Sequence, residues 1–452
     1  MLDLGKTNSK MFVFSAEGEI IWERRRKPSW RDANGRRVLD DASLFDWICA
    51  SLAEAAAGPG VAGVIVSGHG CTFALVDENG LVLPILDYEQ DLPPAIAIDY
   101  AQVVPDFTET YSPDLPLGQT YGRHLYWMFR EEPQAFARAK AILGYPQYWG
   151  WRFGGQMVGE YSYLGVHSQL WQPLRRDYSS LVDRFGWRPK MPEIVPAGSA
   201  IGAFKGLDSA HPVTIHNGIH DSNAALALYH LGGVQDFTLV STGTWVVMLD
   251  ASRPLSQLDP ARDMLANVDI AGRPVTTIRF MGGKEYDLIS RNWEGPVSAG
   301  AVQKAVDAGM FATPSWAAAG PFPDSRGRIV GGDPDGEVRA AVATLYTAMM
   351  TDLSLDLLGS TSTIILDGGL ARSDLYCALL AQLRPSQRVC RSTIVEGSAA
   401  GAAAVAYATK GLKPFTNLTS SVTAASVAGL EAYRRDWRRL ADEYPPQLKV
   451  AP

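Results

Sequence analysis

Apolar and polar positions fall along the chain in blocks that predict a mixed α/β protein. MLDLGKTNSKMFVFSAEGEIIWERRR, residues 1–26, reads as strand, glycine turn, strand, a turn at Glu17-Gly18, and a third strand. SLFDWICASLAEAAA (43–57) spaces its apolar residues for a helix, and VAGVIVSGHG (61–70) is an apolar run ended by glycines, as in a buried strand. FALVDENGLVLPIL sets Asn79-Gly80 between two apolar runs and predicts a hairpin, because these residues tolerate the positive φ of tight turns. Residues 105–190 are aromatic-rich and irregular. PVTIHNGIHDSNAALALYHL (212–231) then reads as strand, a turn with Asp221, and helix. DFTLVSTGTWVVMLD (236–250) reads as two strands around Thr242-Gly243-Thr244. Residues 338–360 predict a long helix, and 363–383 predict strand, glycine turn and a helix capped by Ser373 or Asp374. EGSAAGAAAVAYATKG (396–411) is a small-residue helix able to approach a neighbour closely.

The strand, small polar glycine turn, strand pattern occurs twice, around Gly5 and around Gly243, about 240 residues apart. We read it as a degenerate internal duplication, one copy per domain. An opening meander also argues against a dinucleotide-binding fold, in which a helix follows the first glycine turn.

The chain has 452 residues, too many for one hydrophobic core, so two domains of roughly 200 residues are expected. Hydrophobic residues make up 46%, an ordinary globular composition. A net charge of −7 disfavours a broad nucleic-acid or acidic-membrane surface. No apolar run approaches the ~20 residues that span a bilayer. Residues 1–10 hold Asp3 and two lysines where a signal peptide has its apolar stretch, so no signal peptide and a cytoplasmic location are expected. The four cysteines show no CxxC spacing, which argues against a zinc site or a disulfide framework.

Four glycine turns follow apolar strands, and such bends offer converging amides to phosphate oxygens. Asp3 could hold a magnesium ion through water, and Lys6 and Lys10 could neutralise phosphate. Taken singly, each turn reads by default as structural. On its own residues, Asp221 reads equally well as the cap of the helix SNAALAL.

The order of these segments is more specific. DLGKTNSK (3–10), GHGCTFALVDENGLVLP (68–84), GIHDSNAA (218–225), STGTW (241–245), and DGGLARSD (367–374) with EGSAAGAA (396–403) resemble, in family order, the motifs of the FGGY carbohydrate kinases. That family lies in the actin, hexokinase and Hsp70 ATPase superfamily. The resemblance implies two ribonuclease-H-like (actin-like ATPase) domains with a central cleft whose closure excludes water. Residues 1–230 would carry the sugar site and first phosphate motif, and residues 231–452 the second phosphate and adenosine motifs. It implies ATP and Mg²⁺, with Asp3 toward the metal and Asp221 as general base. Gly5, Lys6, Thr7, Asn8, Lys10, Gly243 and Thr244 would meet the phosphates, and Gly368, Gly369 and Ser373 would border the adenosine. Glu396 would lie near the base or ribose, or stand as an exposed first-turn glutamate.

Three departures stand out. Lys6 occupies a place where threonine is common. HLYW (124–127) replaces a lysine-led signature, and His124 reads as structural. The chain begins close to Asp3, which leaves a short first strand and suggests a start upstream of Met1.

For the acceptor, the closest resemblance is to rhamnulokinase- and fuculokinase-type members. These imply a deoxy-ketohexose such as L-rhamnulose or L-fuculose. Ribulose, xylulose, erythrulose and glycerol are alternatives, as is an inactive sugar sensor; a filament or chaperone ATPase would need no sugar-facing hairpin. Thr72 stands where such members carry a sugar-facing acid, and DYEQD (87–91) where they show a tyrosine, arginine, aspartate run. His69, Thr72, Glu89, Gln90, His220 and Asp221 are the candidate sugar contacts. Trp149 and Trp151 could stack on a sugar or fill the core. The residues leave the oligomeric state open, a homodimer included.

Overall fold

The opening stretch folds as β1 (Leu2–Leu4), β2 (Ser9–Phe14) and β3 (Ile20–Arg26), an antiparallel meander. It holds because Leu2, Leu4 and Met11 are buried on one side of β1 and β2. The computed structural model describes residues 1–204, 212–323 and 325–443. The chain divides into two compact units: Met1–Val234 with Ala266–Val275 and Glu396–Thr416, and Gln235–Leu265 with Thr276–Val395 and Asn417–Pro452. A single cut near residue 230 therefore leaves out two returns of the chain to the first unit.

In the first unit, β4 (Val66–Gly68) runs parallel to β1 on the side away from β2. The hairpin β5 (Phe73–Asp77) and β6 (Gly80–Leu81) follows, its central residues being Glu78 and Asn79. β7 (Ala141–Gly144) pairs with β5. β8 (Ile219–His220) lies parallel to β4 and completes the sheet order β8-β4-β1-β2-β3. The irregular aromatic stretch folds into short helices, and Tyr148, Trp149, Tyr163 and Trp187 become core. His124 is buried there as well. Its Nε2 lies 2.9 Å from the Gln90 carbonyl oxygen, and burial lowers it to about 4, so it is a neutral structural histidine.

The second unit is built on β9 (Phe237–Thr242), β10 (Val246–Asp250), β11 (Pro274–Phe280), β12 (Thr363–Gly368), β13 (Val389–Ser392) and β14 (Thr419–Ser421). Their order is β11-β10-β9-β12-β13-β14, with β9, β12 and β13 parallel. The helix Gly336–Leu357 is buried almost all round. Asp352 on it is fully buried and takes Arg384 at 3.3 Å and Arg434 at 2.7 Å. A buried carboxylate persists only with such partners.

Each unit thus repeats one plan: a three-strand antiparallel meander, then two strands added in parallel beside its first strand. That is the duplication suspected around Gly5 and Gly243, in ribonuclease-H-like topology. The small-residue helix Gly397–Ala408 returns to the first unit and packs on the helix Asp221–Leu231.

Candidate active site

Parallel pairing sets the edge of the first unit. Asp3 is in register with Ser67, and Gly68 with His220, so Asp3, His69 and Asp221 leave neighbouring strand ends together. Asp221 is the first residue of its helix and His220 the cap residue. A carboxylate there is favoured by the positive end of the helix. The Asn223 amide donates to His220 Nδ1 at 2.9 Å, so the ring carries its proton on Nε2, which lies 3.1 Å from Asp221 Oδ1. Burial lowers His220, so it donates as a neutral ring. The Ser222 amide adds a bond to the same oxygen at 2.6 Å. Asn223 is itself held by Asn267 Oδ1 at 3.0 Å. The Asp221 carboxylate is thereby oriented, yet its side chain keeps 31% exposure.

Asp3 is the second carboxylate. Burial raises it to about 7; Asp221 and Glu396 push the same way and Lys10 opposes them. Lys10 pairs with Glu396 at 2.8 Å, and Arg25 reaches the other oxygen of Glu396 at 3.1 Å. Glu396 is neither free for a ribose nor an exposed first-turn acid. Among the described residues no three His, Cys, Asp or Glu side chains are grouped to hold a metal. Mg²⁺ brought in with a nucleotide keeps waters and phosphates and takes one or two protein carboxylates. Asp3 fits that need, since a carboxylate raised by burial and a like charge gains most from a cation.

The turn between Asp3 and Lys10 closes by a bond from the Gly5 amide to the Asn8 carbonyl at 3.0 Å, leaving Thr7 and Asn8 exposed. Lys6 points elsewhere than expected. Its ammonium pairs with Asp87, lies 3.4 Å from Glu89, and sits over the rings of Trp30 at 4.0 Å and Tyr88 at 4.9 Å. His69 packs at a tilt against the same Tyr88, with ring centroids 5.2 Å apart, and against Tyr145 at 4.9 Å. Its Nδ1 bonds the Gly70 carbonyl at 2.7 Å, which leaves Nε2 as the acceptor; burial lowers it and so keeps it neutral.

The other acceptor-side candidates separate. Glu89 is half exposed. Gln90 accepts from the Arg37 amide and donates to the Arg37 carbonyl, both at 2.6 Å, so its side chain is spent clamping backbone. Thr72 is buried, with its amide on the Tyr163 hydroxyl, and belongs to the core. Trp149 is wholly buried, and Trp151 packs against the same core.

In the second unit the two glycine turns are neighbours, because Thr242 on β9 is in register with Gly368 on β12. Gly243 donates to the Trp245 carbonyl at 2.7 Å and begins a tight bend that includes Thr244. Gly369 donates to the Thr242 carbonyl at 2.6 Å. Gly368 has φ +88°, and a Cβ there would stand 1.9 Å from the Thr242 oxygen, so only glycine fits. Ser373, rather than Asp374, caps the following helix by accepting from the Tyr376 amide at 3.2 Å. Bends at the carboxyl ends of parallel strands are where open α/β sheets bind ligands.

A family model described as the C-terminal domain of FGGY carbohydrate kinases matches residues 234–414. A carbohydrate kinase from Novosphingobium aromaticivorans is 32% identical, over 97% of this chain and 99% of that one, with a TM-score of 0.86. The chain belongs to the FGGY carbohydrate kinase family. An L-fuculokinase of Salmonella typhi is 24% identical over 265 residues, 55% of this chain and 55% of that protein. The chain thus matches about half the length of that curated relative. A glycerol kinase of Plasmodium falciparum, 12% identical over 99% of this chain and 98% of that one, shares the fold with a TM-score of 0.80.

Sequence reasoning missed several residues that lie beside these candidates. Asp87, fully buried between Lys6 and Arg37, is the charged centre of the DYEQD loop. An acid directly after the apolar run LVLPIL was its signal. Asn223, which sets the His220 tautomer, follows Asp221 by two positions and was readable as a polar residue in an apolar helix. Trp30 gave no signal. An apolar cavity of about 730 Å³, lined by Phe12, Val13, Phe14, Val61, Ala403 and Tyr407 among others, lies in the same unit, with none of these carboxylates on its wall.

Glu160 was also missed. It is buried, accepts from Ser162 Oγ at 2.6 Å and the Tyr163 amide at 2.9 Å, and burial raises it to about 7. Ser162 Oγ in turn accepts from the His220 amide at 3.4 Å. The folded value lies above the ordinary one. Stability from the neutral acid is therefore full below about pH 4.5 and lost as pH rises through 7, on the order of 3 kcal/mol in all. Glu160→Gln cannot ionise, so its Tm falls less between pH 5 and pH 8 than that of the parent protein. Asp3 titrates in both proteins and cancels from the comparison. Identical slopes in the two melting series would rule the assignment out.

Proposed function

We propose that the protein is an ATP-dependent kinase that transfers the γ-phosphoryl group of ATP to a hydroxyl of a ketose. The placement of Asp221 carries this reading: first residue of its helix, oriented by neutral His220, and within Coulombic reach of Asp3. Asp221 accepts the proton of the attacking hydroxyl, a term worth roughly 10²–10⁴-fold. The oxygen bonds to the γ-phosphorus as the bond to the leaving ADP breaks. Little covalent work remains for the protein, so positioning and charge dominate. Gly5 and Gly243 close the two bends that would bring Thr7, Asn8 and Thr244 to the phosphates, and Gly368, Gly369 and Ser373 would border the adenosine. Asp3 would hold the magnesium of Mg·ATP through water; when bound, that ion offsets phosphate charge.

His69, Glu89 and His220 supply a polar wall for hydroxyl groups. A deoxy-ketohexose or ketopentose is the acceptor class we favour, supported by the fuculokinase likeness and by the aromatic faces beside His69. The test is a coupled ADP assay over L-rhamnulose, L-fuculose, ribulose, xylulose, erythrulose and glycerol. One ketose should drive ADP formation well above the acceptor-free rate and above glycerol. No response to any ketose would refute the substrate class.

A further inference from the structure

We propose that Lys6 is a positioning residue of the acceptor site and not a phosphate ligand, and that the loop it holds selects neutral polyhydroxy acceptors over sugar acids. This rests on the kinase reading above. The opening motif divides its two lysines. Lys10 pairs with Glu396 and lies within Coulombic reach of Asp3. Lys6 sits with Asp87, Glu89, Trp30 and Tyr88, and shares the Tyr88 ring with His69.

Three observations tie Lys6 to that loop. Asp87 is wholly buried and has two cations, Lys6 and Arg37, the latter at 3.1 Å; withdrawing Lys6 toward a phosphate would leave a buried charge half paired. Two aromatic faces hold the ammonium in addition to the carboxylates. Asp87 Oδ1 also accepts from the Glu89 amide at 3.0 Å, so fixing Asp87 fixes the backbone that presents Glu89. The Glu89 side chain, 48% exposed, is the group left to receive hydroxyl protons. Around it, Lys6 and Arg37 are set against Asp87, Glu89 and Asp221. A carboxylate-bearing acceptor would meet net negative charge, whereas a neutral polyol gains a charge-assisted hydrogen bond.

The test uses the full chain with Lys6→Met, Lys6→Arg and Glu89→Gln, Mg·ADP binding by calorimetry, and acceptor kinetics with the best ketose of the panel. Lys6→Met should leave Mg·ADP affinity within about twofold and raise the acceptor KM on the order of tenfold, the scale of one charge-assisted hydrogen bond. Lys6→Arg should restore most of that loss, since its fork reaches both carboxylates. Glu89→Gln, at a half-exposed position that does not threaten folding, should raise the ketose KM similarly and narrow the preference over aldonates. A tenfold loss of Mg·ADP affinity in Lys6→Met, or an unchanged acceptor KM in Glu89→Gln, overturns the proposal. If the parent protein turns over no acceptor, the kinase reading fails separately, while the Mg·ADP measurement still decides whether Lys6 touches phosphate.

Discussion

Asp221→Asn lowers kcat by about 10²–10⁴-fold and leaves acceptor binding measurable. The amide matches the carboxylate in shape and can still accept from His220 Nε2 and the Ser222 amide, which now lie 3.1 Å and 2.6 Å from Oδ1. The Asn223 to His220 bond is untouched, so the helix start keeps its geometry. What disappears is a group able to take up the hydroxyl proton. Loss of the negative charge at the helix start costs only about 0.3–1 kcal/mol of stability, so the variant stays folded. Steady-state kinetics with the active ketose, alongside calorimetric binding of that ketose, separates the two effects. A kcat within about threefold of the parent would remove Asp221 from the role of base.

Gly401→Ala should be the most damaging of the small substitutions. A Cβ at Gly401 would stand 1.8 Å from the Ala224 carbonyl oxygen and 2.4 Å from its carbon. Those atoms are backbone of the Asp221 helix, so no side chain can rotate away. The helices must separate, which unpacks Ala224, Ala227, Ala402 and Val405, all part of one buried cluster. Overpacking of a core usually costs 1–3 kcal/mol, and a forced backbone shift belongs at or above the top of that range. Because Asp221 starts the displaced helix, kcat should fall together with stability. Gly300→Ala is the contrast: that glycine lies on the exposed face of the helix Ala299–Asp307, with only Ser298 Oγ, at 3.8 Å, near its Cβ position. It should be neutral or slightly stabilising, by up to about 1 kcal/mol. Denaturant titrations followed by circular dichroism check both, and equal stabilities for the two variants would refute the close-packing argument.

Much of the frame was legible along the chain. The opening meander, the two strands around Gly243, the helix that follows the turn at Asp221, a cap at Ser373 or Asp374 and the closeness of the small-residue helix to a neighbour follow from patterns a few residues long; the third strand of the second meander, Pro274–Phe280, does not. Of the candidate site, the sequence marks only groups that sit in such patterns, as Asp3, Gly243 and Asp221 do. Gln90 and Thr72 looked like pocket residues by type and place, but one is spent on the Arg37 backbone and the other lies in the core. Burial and backbone pairing decided that, and neither is written in a residue's own neighbourhood.

Local order was the sequence's own work: alternation and glycine placement make strand, bend and strand wherever the run occurs, because adjacent residues share one backbone. The destinations of the charges were settled by folding. Lys6 meets Asp87 across 81 residues, and Lys10 meets Glu396 across 386. Two lysines four positions apart pair with different acids, Asp87 and Glu396, because packing, rather than spacing, chooses which acid each one neutralises.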